Sequence, residues 1–171
     1  SDCSRNQPAR SSGHGQYSGS PPSKANDGNF GRSHPNQFHS NLIAQASFYS
    51  TVWWGVQLPS KVHDALITFY ARDCCTGNYG QKVELWIGNS FPLDNTAWST
   101  SLDAKKCGEI EDISGGSTHN VICEGSGTVF FVRGSDGACT SVNCALDFPE
   151  VTVTAFHFKH TILPQNRFIE N

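Results

Sequence analysis

Methionine is absent from the 171 residues, and charge is scarce: Asp, Glu, Lys and Arg make up 16% of the chain, where about 25% is usual. No basic surplus exists either. Lys and Arg number 12 against 15 Asp and Glu, a formal charge of −3, which argues against binding to a phosphate backbone by counterion release. No apolar run approaches the roughly 20 residues of a membrane-spanning helix, so neither membrane insertion nor nucleic acid is expected among the partners. The chain has no G-x-S-x-G elbow, no HExxH pair and no Gly-rich phosphate loop between a strand and a helix, so no enzymatic activity is expected. His34 and His39 have the H-x4-H spacing of a finger site. Without a CxxC pair to complete it, structural zinc is not expected.

Against these absences stand seven cysteines, 16 glycines, 8 prolines and an aromatic content of 11%. A chain of this length can bury roughly two-thirds of its unfolded surface, so it does not need cross-links merely to fold. The composition therefore reads as a loop-rich, strand-rich secreted domain. Ser1-Asp2-Cys3 opens the chain without an initiator methionine, as expected of a processed end whose signal peptide has gone. Cys107 and Cys123 flank a 15-residue stretch rich in Gly, Ser and Thr, which a bridge would close for roughly 3 kcal/mol. Cys139 and Cys144 flank a short turn and form a second expected bridge. Seven is odd, so Cys3 is left unpaired or bound to something outside the chain. Cys74 and Cys75 are adjacent. Neighbouring Cα atoms sit about 3.8 Å apart, less than the usual disulfide span of about 4.4–6.8 Å, so this pair either closes a strained ring or sends each thiol elsewhere.

Residues 1–23 are polar and broken by Gly, Pro and Ser, and alone would look disordered. Short β-branched and aromatic runs follow at Phe48–Leu58, His63–Ala71, Gln81–Ile87, Thr118–Cys123, Thr128–Arg133 and Val151–Phe158. No window carries a long 3.6-residue stripe with caps. The pattern predicts an all-β chain, a sandwich of antiparallel sheets. Residues 159–171 leave it and read as a tail or linker. Trp53 and Trp54 open a strand, with one expected inside and the other at the sandwich edge; Trp86 is expected in the core, and Trp98 in a loop is the exposed candidate.

Four ordered motifs carry more than any one alone: Ala25-Asn26-Asp27-Gly28-Asn29, Trp53-Trp54-Gly55-Val56-Gln57-Leu58, Arg72-Asp73-Cys74-Cys75 and Glu84-Leu85-Trp86-Ile87-Gly88-Asn89-Ser90. Together they resemble the F-type lectins (fucolectins), whose pattern runs as A-x-D-G-N, WWxVDL, NRxDCC and a strand ending in xIGNS. Cys107 with Cys123 looks like that family's second bridge, and Pro149-Glu150-Val151-Thr152-Val153 resembles its last strand. The resemblance covers roughly residues 6–158. It implies a jelly-roll, galactose-binding-domain-like β-sandwich over 1–158, with 1–23 packing on it. It also makes a Cys74–Cys75 disulfide the favoured pairing.

The resemblance further implies a structural Ca2+ ion. The carboxylates of Asp27 and Glu150, the main-chain oxygens of Lys24, Asn29 and Pro149, and Ser40 would supply the 6–8 oxygens a hard cation takes. By residues alone, an Asx turn at Asp27 and a solvated Glu150 are the preferred reading, and only the resemblance reverses that preference. Ser33 is an alternative to Ser40 because the 30–52 loop is long. The cysteines that flank this region in the family are replaced together, by Asn41 and Pro149. The sugar site departs from the family's H-x26-R-x-D-x4-R/K pattern. Ala71 stands at the first arginine position, Asn78 or Tyr79 at the second, and Ile43 or Ala44 at the histidine. The candidate ligand-binding residues are therefore His39, Arg72, Cys74, Cys75, Asn78 and Tyr79, with His34 and Lys82 as more distant substitutes. Arg72 is displaced by one residue, which on a strand reverses the face. Two functions are open: extracellular glycan or glycoprotein recognition through a remodelled site, or a lectin-derived module for protein adhesion or assembly. A covalent or neighbouring partner could attach through Cys3.

Overall fold

The computed structural model describes residues 1–12, 19–33, 35–40, 51–73, 82–92, 103–113, 115–135 and 145–156. Alternating apolar residues build its long strands. In β3 (Trp53–Tyr70), Trp54, Val56, Ala65, Ile67 and Phe69 are all buried. In β6 (Thr118–Gly134), Cys123, Phe130 and Val132 join the same core. The other strands are β1 (Ala9–Ser11), β2 (Phe38–His39), β4 (Val83–Gly88), β5 (Ala104–Ile110), β7 (Asp147–Phe148) and β8 (Glu150–Ala155). All pairings are antiparallel.

The main sheet runs β1-β3-β6-β4-β5, with β8 also on β3. Its two long strands change partners along their length. The first part of β3 lies between β1 and the end of β6, and the last part lies between β8 and the start of β6. Register breaks between Gln57 and Val62 and between His63 and Ala65 mark the passage. Bulges bend a strand and increase its twist, so one pair of strands can serve both layers of a sandwich. Gly127 permits the crossing, because a Cβ there would sit 2.1 Å from the carbonyl oxygen of Gly88.

This continuity corrects the strand expectations. Phe48–Leu58 and His63–Ala71 meet in one strand, as do Thr118–Cys123 and Thr128–Arg133. Pro59-Ser60-Lys61 and the glycines 125 and 127 look like turns in sequence, yet they form the irregular bends, the place where Pro and Gly are tolerated in sheets. β5 was not expected, because Lys105, Lys106 and Glu109 mask its apolar face. Trp53 and Trp54 are both buried, at 2% and 0% exposure. Trp86 is not a core residue: it is half-buried, with the Arg133 guanidinium 5.3 Å over its ring. Trp98 lies outside the described residues.

Aromatic packing fixes the part of the core that matters for the site. Phe148 is fully buried and meets the rings of Phe38, Trp54 and Phe69 at centroid distances of 5.6, 5.4 and 4.9 Å. Burying one such ring contributes roughly 1.5–3 kcal/mol. Asp147 and Pro149-Glu150 flank Phe148 in the chain, so this anchor sets where both acids stand. Cys107–Cys123 is a disulfide with Cα atoms 4.7 Å apart, tying the edge strand β5 to the first part of β6. Cys3 is a free, half-buried thiol against the core. Cys74, Cys75, Cys139 and Cys144 lie outside the described residues.

Candidate functional site at the loop end of the sandwich

The end of β3, the start of β6 and residues 27–40 converge at one end of the molecule. The ladder continues past Tyr70: the Ala71 N–H donates to Ser117 O at 2.8 Å, and the Gly116 N–H donates to Arg72 O at 2.7 Å. Ala71 is fully buried in the core, so nothing at that position reaches the surface. Arg72 does not project into solvent either. Its Nη1 donates to Asp147 Oδ2, and its side chain is 12% exposed against 1% for Asp147. His39 approaches the same oxygen from β2, with Nε2 at 3.7 Å. Two candidate ligand residues, Arg72 and His39, thus meet on a buried carboxylate that sequence reasoning missed.

Above this buried group lies a more open one, also missed. Phe30 is 48% exposed and packs edge-on against Tyr70 at 4.8 Å. Beside it the Arg32 guanidinium donates to Thr118 Oγ1 at 3.1 Å. A Cβ on Gly116 would lie 2.9 Å from Arg32 Nη1 and 3.2 Å from Asp73 Cβ, so Arg32 and Asp73 close together over Gly116. The arrangement offers an apolar ring face, a guanidinium fork, a carboxylate and hydroxyls, the groups that recognise a polyhydroxylated ligand with an apolar face. Its only sequence signal is position: Phe30-Gly31-Arg32 directly follows the Asn26–Asn29 turn. Cys74, Cys75, Asn78 and Tyr79 follow Asp73 in the chain but lie outside the described residues, as does His34. Lys82 is engaged elsewhere, with Glu111 at 2.7 Å and Glu109 at 3.4 Å.

The expected metal ligands are distributed around the Asp27-Gly28 turn. Gly28 has φ +82°, which glycine adopts without cost, and this turns its N–H onto both Glu150 carboxylate oxygens at 3.3 Å. Glu150 is fully buried. Burial, reinforced by the charges of Asp27 and Asp2, pushes its carboxyl up to about 8, against the opposing Gly28 N–H and the more distant Arg5. Asp27 Oδ1 accepts the Asn29 N–H at 2.7 Å, an Asx turn, and its Oδ2 lies 3.9 Å from Lys24 Nζ. Ser40 Oγ instead accepts the Leu146 N–H at 2.9 Å.

Among the described residues no cluster of three or more His, Cys, Asp or Glu side chains could hold a metal ion. A cation here would have to draw on main-chain oxygens, as the resemblance to F-type lectins implies. Two observations fit such an ion: the buried Glu150 carboxylate, which makes no ion pair among the described residues, and the fully buried Gln37, whose Oε1 and Nε2 have no hydrogen-bond partner among them. The β2–β7 register places Phe38 opposite Phe148, so Gln37 stands at the Pro149 end of that pair.

No protein-family model matches the sequence, and no curated protein matches it. Solved structures do match the fold. The fucolectin from Morone saxatilis serum aligns with TM-score 0.68 and 23% identity over 91% of this chain and 49% of its own. A fucose-binding module from Streptococcus pneumoniae gives 0.65 and 16% over 91% and 96%. The lectin domain of Lectinolysin, as a His 62 mutant complexed with Lewis b, gives 0.63 and 18% over 92% and 97%. Identities this low speak for the fold alone: the chain is similar to F-type lectins and fucose-binding modules, and it has their β-sandwich in a divergent form.

Proposed function

We propose that this chain is a non-catalytic carbohydrate-recognition module of the secreted or cell-surface kind, binding glycan through a remodelled loop-end site. The observation that carries the reading is the exposed Phe30 packed on Tyr70 beside Arg32, at the end of the fold where Asp73 leads into Cys74-Cys75. The solved structures of similar fold are named as fucose-binding or Lewis b complexes, which makes fucosylated glycans the first ligands to try. Arg32 would take over the hydroxyl recognition that Ala71 cannot perform, and Phe30 would receive the apolar face of a sugar ring. The Cys107–Cys123 bridge supports an extracellular setting. Residues 1–158 are read as one domain followed by a tail.

On a glycan array the folded chain is expected to retain fucosylated structures. Arg32→Ala should weaken that binding about tenfold or more, the cost of one charge-assisted hydrogen bond, while circular dichroism stays unchanged because the side chain sits at the surface. Phe30→Ala should weaken it as well. Array-wide silence from a correctly folded protein would sink glycan recognition and leave the protein-contact module.

Ca2+ is proposed at the Asp27–Glu150 turn, with Lys24, Asn29 and Pro149 supplying main-chain oxygens; the buried, unpartnered Gln37 amide is an alternative side-chain donor to Ser40, whose Oγ accepts the Leu146 N–H. The ion would supply the positive charge that keeps Glu150 ionised. At saturating Ca2+ the thermal midpoint should exceed that in EDTA by roughly 5–10 °C. Glu150→Gln should remove the difference. Identical midpoints with and without Ca2+ in the unmodified chain would rule the ion out.

A further inference from the structure

A groove of about 570 Å3 lies between β1, the start of β3 and the residues that follow β4, away from the loop-end site. Arg10, Ser11, Trp53, Gln57, Ser90 and Phe91 line it. Its volume falls within the range of small-ligand sites, about 300–1,000 Å3. Gly55 makes the groove possible by carrying no side chain. A Cβ there would lie 2.9 Å from Phe131 and 3.1 Å from Phe91, so Phe91 drops onto the sheet only because the position is empty. There it stacks on Trp53, with centroids 5.9 Å apart and planes at 26°. The Arg10 guanidinium lies 5.0 Å from the Phe91 centroid.

Two features of this lining point to a ligand. Trp53 is 2% exposed and its Nε1–H has no hydrogen-bond partner. A buried donor left without an acceptor is costly, and native structures rarely tolerate one without a use for it. Arg10, an exposed residue of the edge strand, makes no ion pair among the described residues, and no carboxylate is among the described residues that line the groove. Elsewhere on the sheet Arg133 and Lys106 pair with Glu84, and Lys82 beside it pairs with Glu109 and Glu111. The groove therefore presents a guanidinium and two serine hydroxyls against an aromatic wall, and the idle indole donor lies buried within that wall. That combination suits a ligand with an anionic oxygen pair, several further acceptors and an apolar C–H face.

We propose that this groove is a second site, binding a single carboxylate-bearing pyranose of the uronic-acid class. Arg10 receives the carboxylate, the indole N–H and serine hydroxyls serve ring and hydroxyl oxygens, and Phe91 packs against the ring C–H groups. The site is independent of the loop-end reading, because it shares no residue with Phe30, Arg32 or Tyr70.

The test is a titration of the full chain with sodium glucuronate, following the Trp53 indole N–H resonance by NMR, with methyl β-glucoside and sodium acetate in parallel. A saturable shift at roughly millimolar affinity is expected for glucuronate. The neutral glucoside and acetate should each bind about tenfold more weakly, since each lacks half of the recognition. Arg10→Gln should cost about tenfold in glucuronate affinity. Trp53→Phe keeps the ring and removes the donor; read by the Gly55 amide resonance, it too should weaken binding, with the thermal midpoint reporting that the fold survives. Arg32→Ala should leave glucuronate binding intact. No shift with glucuronate, an equal response to acetate or to the glucoside, or loss of binding in Arg32→Ala would each overturn the proposal. Failure on the glycan array leaves this test untouched, so the two readings stand or fall separately.

Discussion

Replacing Arg72 by alanine should lower the unfolding free energy by roughly 3–5 kcal/mol, an effect far beyond that of an ordinary loop arginine. Asp147 has a side chain only 1% exposed, and Arg72 supplies a guanidinium donor to its Oδ2. Removing that cation takes a direct guanidinium partner from a carboxylate that is almost fully buried. His39 at 3.7 Å is too distant to replace a direct hydrogen bond. Burial of a matched pair is itself of small net benefit, so Arg72→Met with Asp147→Leu should be less damaging than Arg72→Ala alone. Urea unfolding of Arg72→Ala and of the double variant measures this directly. A ligand-contacting Arg72 would behave in the opposite way, with weakened glycan binding and a stability change below about 1 kcal/mol.

Exchanging both Cys107 and Cys123 for serine should cost roughly 3 kcal/mol, mainly by releasing a loop that the bridge closes in the unfolded chain. For a domain of this size the thermal midpoint should fall by roughly 6–12 °C. The location adds to the expectation. Cys123 is fully buried among core residues, whereas Cys107 lies on the edge strand β5, so two polar serines would face the place where the layers join. Calorimetry with and without reductant separates the two contributions: reduction removes the cross-link only, and the serine pair adds the cost of buried hydroxyls. A midpoint indifferent to reductant would show that the bridge carries no stability.

Much of this architecture was legible from local pattern. Alternation in Ala65–Tyr70 and Val151–Thr154 marks half-buried strands because successive side chains point to opposite faces. Asn26-Asp27-Gly28-Asn29 reads as a turn because Asp27 can accept the Asn29 N–H and Gly28 can take a positive φ. Cys107 and Cys123 read as a pair because of the flexible stretch between them. The same local reading failed where a polar or Gly/Pro run sat within a strand. Pro59-Ser60-Lys61 looks like an interruption, and only pairing of β3 with β6 on both sides of it shows a bend in one continuous element.

The all-β character, the turn chemistry, one disulfide and the likeness to F-type lectins were thus determined by the sequence itself, since each depends on residues close in the chain or on the order of short motifs. Which charged and aromatic groups face one another was decided only by the tertiary structure. Arg72 finds Asp147 across 75 positions, and Arg32 finds Thr118 across 86. Phe91 finds Trp53 because Gly55 leaves space between them. Spacing along a strand determines a side chain's face, but its partner depends on bulges, register and layer crossing, which are set by many pairings at once. That is why Arg72, one residue from the family's arginine position, belongs to a buried ion pair, while Arg32, in the stretch that follows the Asn26–Asn29 turn, lies at the loop-end surface.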